Sequence, residues 1–93
     1  MTDRKELTLR LSRRERHLVS EYGYPFDDLG SQLAELENRS GPVTVTITAF
    51  YLDVLLADLV RSVKEIENQQ LIAELDALYT EIEIQAANQG YRP

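Results

Sequence analysis

Histidine occurs once in this chain, at position 17, and Glu21 follows four residues later. On a helix that spacing brings two side chains together, and a carboxylate beside an imidazole tunes a general base. No nucleophile in a defining motif accompanies the pair, so a solvated surface histidine is the expectation and no catalytic residue is assigned. Asp27 and Asp28, with Glu35 or Glu37, are carboxylates of the kind that hold a divalent cation. Adjacent helical residues project about 100° apart, so the two aspartates do not chelate together. Complementing the positive end of a helix accounts for them without a metal. Cysteine is absent, which removes disulfides, zinc thiolates and cysteine nucleophiles. There is no phosphate-cradling glycine loop, dinucleotide fingerprint, HExxH or GxSxG. The reading is a non-enzyme with no cofactor and no metal.

Charge narrows the partners. The net charge is −6, and it is unevenly spread. Residues 1–20 carry Arg4, Lys5, Arg10, Arg13, Arg14 and Arg16 against Asp3, Glu6 and Glu15, a balance of +3; the remainder stands at −9. An acidic whole opposes approach to phosphate, so nucleic acid is disfavoured as a partner, while the basic first fifth leaves a local exception. No apolar stretch follows Met1, so no secretory signal is expected. The apolar run from Ala49 to Val60 is broken by Asp53 and Asp58 and is too short and charged for a bilayer span. A cytoplasmic location, with no membrane partner, is the expectation.

The elements that must position these residues follow from periodicity. Leu7, Leu9 and Leu11 alternate with Thr8 and Arg10, which is the pattern of a half-buried strand. Ser12-x-x-Glu15 is a capping box that starts a helix, with Leu18, Val19 and Tyr22 on its apolar face and Arg13, Arg16, His17 and Ser20 opposite. Gly23 is expected to end that helix in the left-handed conformation, and Pro25 to stand in the first turn of the next. Phe26, Leu29, Leu33 and Leu36 form the stripe of that second helix. Asn38 to Pro42 is a turn cluster. Val43, Val45 and Ile47 then alternate with Thr44 and Thr46 as a second strand, Thr48 caps a long helix, and Leu71, Leu75, Leu78 and Ile82 mark a fourth. The phase breaks between Ile66 and Leu71, which predicts a turn over 67–70, with one continuous bent helix as the alternative.

The two strands match at an offset of 36 residues, each ending in a hydroxyl N-cap. The fold expected is therefore α+β, in the order β-α-α-β-α-α, ending in a helical hairpin. It is read as one domain holding a pseudo-repeat of residues 7–38 and 43–88. The intervening stretch is long enough for a parallel crossover, so the strands, although expected to be neighbours, are of open polarity. Two strands make a weak sheet with two exposed edges. A homodimer relieves this through a shared sheet or through the long apolar helix, whose Phe50, Tyr51, Val54 and Leu55 are the expected interface. Tyrosine occurs five times, a residue type favoured at interfaces.

Strand Leu7–Leu11, a helix from Ser12, a break at Gly23 and a second helix through Leu36 resemble a ribbon-helix-helix repressor. That resemblance implies an outward pair, Thr8 and Arg10, able to contact bases or phosphates in a major groove. Two functional readings result. The first is a small homodimeric protein–protein interaction or regulatory module, with a second copy of itself as partner and another protein as a further candidate. The second is a ribbon-helix-helix-like transcriptional regulator, which requires Thr8 and Arg10 on an exposed ribbon.

Overall fold

In the computed structural model the described residues are 6–23 and 27–91, without the side chains of Asp27 and Asp28. The expectations attached to Pro25, Phe26 and the two aspartate carboxylates lie outside them. Six elements follow in chain order: β1 (Glu6–Leu11), α1 (Arg13–Tyr22), α2 (Asp27–Glu35), β2 (Val43–Thr48), α3 (Ala49–Val63) and α4 (Gln69–Ala87). This is the expected α+β order.

The strands are neighbours and antiparallel, with Leu11 opposite Val43 and Glu6 opposite Thr48. The polarity has a simple cause. The chain leaves the ribbon along α1 and returns along α2, two helices of 10 and 9 residues. It therefore re-enters at the end it left. Leu9 lies opposite Val45, the residue 36 positions later. Leu7, Leu9, Leu11, Val45 and Ile47 face inward and are buried; Thr8, Arg10 and Thr44 face outward and are exposed.

Behind the ribbon, α2 packs on β2, α4 packs on β1, and α1 packs against α3. Leu18, Val19, Leu29, Leu33, Leu52, Leu59, Leu75 and Ile82 join the inward strand residues in one apolar core. The N-caps of α1 and α3 are local. Ser12 and Glu15 form the reciprocal capping box, and the Thr48 hydroxyl accepts from the Tyr51 amide, each satisfying an orphan donor of a helix start. The break between α3 and α4 falls at residues 64–68, earlier than the expected 67–70: Asn68 caps α4, so Gln69 and Gln70 are already helical, and the last two helices are a hairpin.

Gly23 departs from expectation. Its φ is −96°, an ordinary right-handed value, so no left-handed turn explains it. A Cβ there would lie 2.5 Å from Leu55 Cδ1 and 2.8 Å from the Val19 carbonyl oxygen. The glycine is the cost of packing α3 closely against the end of α1, where Ser62 Oγ also donates to the Tyr22 carbonyl at 2.8 Å.

Candidate functional site

The outer face of the ribbon is a polar surface of two strands. Thr8 faces Thr46 and Arg10 faces Thr44 across it. The hydroxyls and the one guanidinium project away from the core because their neighbours in each strand are the buried leucines, valine and isoleucine.

The flanks of this face are closed in a way that the sequence did not suggest. Gln85 Oε1 accepts from the Arg10 amide at 2.7 Å, and Gln85 Nε2 donates to the Arg10 carbonyl at 3.0 Å. Gln89, in the turn just past the end of α4, does the same for Thr8, at 2.8 and 2.6 Å. On the other side Gln32 of α2 accepts from the Thr46 amide at 2.9 Å and donates to its carbonyl at 3.0 Å. A carboxamide carries the same donor and acceptor as a peptide group. Three glutamines thus stand in for neighbouring strands along edges expected to be exposed. The pairing groups at Thr8, Arg10 and Thr46 are occupied within the chain.

Arg16 also departs from the expected solvent face. It is 4% exposed, and its guanidinium donates to the carbonyls of Leu11, Gly41 and Arg39. It fastens the loop before β2 to the end of β1. Arg14 meets α4 in a two-pronged contact with Glu74 whose shorter arm is 2.7 Å. Their hydrogen bond raises the Arg14 pKa and lowers that of the Glu74 carboxyl. Glu81 accepts from Gln85.

His17 and Glu21 are both exposed. His17 stands on the rim of two open grooves, one between α1 and α2 beside Arg13 and Glu37, the other between α1 and the start of α4. Among the described residues no group of three His, Asp or Glu is arranged to hold a metal ion.

The four expected interface residues separate. Leu55 is 3% exposed and belongs to the chain's own core, because Gly23 lets α1 close over it. Tyr51 and Val54 are half-buried. Phe50 is 65% exposed, with its ring edge-on to Tyr51 at 5.2 Å. Ala57 and Val60 are exposed farther along α3. Asp58 pairs with Arg61 at 2.6 Å, as their spacing predicts, and Asp53 accepts a hydrogen bond from the Tyr91 hydroxyl. Burial, then that bond, pushes the Tyr91 pKa above the ordinary tyrosine value.

No helix among the described residues is long and apolar enough to cross a membrane. The chain matches no protein-family model, no curated protein and no solved structure at a significant level.

Proposed function

We propose that this chain is a non-enzymatic regulatory or interaction module that works as a homodimer. The observation that carries the reading is the outer face of α3, where Phe50, Val54, Ala57 and Val60 leave apolar surface uncovered. Phenylalanine exposed to this extent beside other apolar residues is characteristic of a contact surface. The closed ribbon flanks support the same conclusion by disfavouring association through a shared sheet. Among soluble oligomers the two-fold dimer is the commonest arrangement. Sedimentation at micromolar concentration is the test. A dimer that persists in high salt is expected, since apolar burial outweighs exposed ion pairs. A monomer at every concentration and salt refutes the reading.

A second reading has its own observation. Thr8 and Arg10 lie on the exposed face of an antiparallel ribbon, as a ribbon-helix-helix-like regulator requires. The two halves also correspond as copies of one unit would: Leu9 faces its counterpart Val45, and the second helix of each half covers the strand of the other. Gln32 on Thr46 matches Gln85 on Arg10, Thr46 being the counterpart of Arg10 at the 36-residue offset. The charge balance weighs against this reading, because the outer face also carries Glu6 and β2 contributes no basic residue. A mobility-shift assay with promoter DNA decides it. No shift at physiological salt is expected, and a sequence-specific shift lost in Arg10→Ala would promote this second reading over the first.

A further inference from the structure

We infer that two copies pair through α3 in antiparallel register, crossing at Ala57, an inference that rests on the dimer proposed above. Phe50, Ala57 and Lys64 are spaced by seven and share one side of the helix. Phe50, Ala57 and Lys64 are all exposed, so this side is a solvent face with a small residue at its centre. Small residues at a crossing let two helix backbones approach closely.

Charge selects the direction. Asp53 stands in the N-terminal half of this face, and Arg61 and Lys64 stand at its C-terminal end; all three are exposed. Parallel pairing sets Asp53 against Asp53 and Lys64 against Lys64. Antiparallel pairing sets the acidic half of one α3 against the basic end of the other, twice per dimer. Like charges brought together at an interface are penalised, so the pattern discriminates between the two directions.

The aromatic ring fits the same direction. About a two-fold axis at Ala57, Phe50 falls beside the basic end of the partner helix. The Arg61 side chain is 64% exposed and uses one nitrogen on Asp58, which leaves its guanidinium plane for stacking on a ring. Leu55 has no part in this interface, being buried within its own chain.

The absence of cysteine makes the register directly measurable. Ala57→Cys places a single thiol at the axis, next to its own copy. Lys64→Cys places one far from its copy, and Ala73→Cys places one on an exposed part of α4. At micromolar protein under mild oxidation, A57C is expected to form a disulfide-linked dimer about a hundredfold faster than A73C, because the interface holds its thiols at effectively millimolar concentration. K64C is expected to match the slow rate of A73C. Lys64→Asp, which places an acidic group near the Asp53 half of the partner helix, should weaken the dimer. Rapid linkage of K64C would establish parallel pairing and overturn the inference. Slow linkage of A57C in a protein that sediments as a dimer would also overturn it while leaving the dimer standing. A wild-type monomer would remove both.

Discussion

At Arg16 a guanidinium is buried against three carbonyl oxygens. Each is a hydrogen bond with one charged partner, worth more than a neutral one. Replacing Arg16 by alanine leaves these carbonyls to find other donors and is expected to cost about 2–3 kcal/mol in chemical denaturation. Lysine should not restore the loss, because one ammonium cannot reproduce the span of the planar fork. A variant as stable as wild type would show that the loop is held by other contacts. The amphipathic spacing of α1 marked this residue as solvent-facing, and only the return of the 39–41 loop over α1 makes it buried. Tyr91 supplies a second residue-scale test. Its folded pKa is raised, so the clasp to Asp53 contributes its full stability below the ordinary tyrosine pKa of about 10. That contribution fades as pH rises through the folded value. Tyrosinate absorbance in an alkaline titration should show one late-ionising tyrosine that is missing in Tyr91→Phe. Identical titration steps in the two proteins, apart from amplitude, would show that the clasp does not form.

The elements divide by how local their causes are. Both strands were legible because alternation is written residue by residue, and both helix starts because Ser12 and Thr48 cap within three residues. The strand polarity and the edge closures were not. Gln89 meets Thr8 across a separation of 81 residues, and nothing in an i, i+4 glutamine pair distinguishes a surrogate strand from a solvated helix face. The glutamines carry a prediction at this scale. Gln85→Ala with Gln89→Ala uncovers backbone donors and acceptors along β1, which are a template for another chain. The double variant should self-associate increasingly with concentration, as light scattering would detect. Unchanged scattering would mean that α4 shields the edge without its amides.

For the whole molecule, the same closure bears on how copies meet. Gln85 and Gln89 hold the β1 flank and Gln32 holds β2 at Thr46, which leaves α3 as the face of the proposed association. Of the four interface residues expected from the sequence, Phe50 is exposed, Tyr51 and Val54 are half-buried and Leu55 is buried. Phe50 and Val54 remain candidates, whereas Leu55 is withdrawn into the core through a close approach at Gly23 that no periodicity reveals. Ala57, Arg61 and Lys64, which enter the proposed pairing, are small or charged and carry no hydrophobic signal of their own.

Sedimentation of wild type beside Phe50→Asp reads the proposed α3 pairing itself. Phe50 is largely exposed and stands in the first turn of α3, where an acidic side chain suits the helix dipole. The substitution is therefore expected to leave folding intact, as circular dichroism would verify. A wild-type dimer and a folded monomeric variant are expected at the same micromolar concentration. A folded Phe50→Asp protein that remains dimeric would rule out pairing through α3.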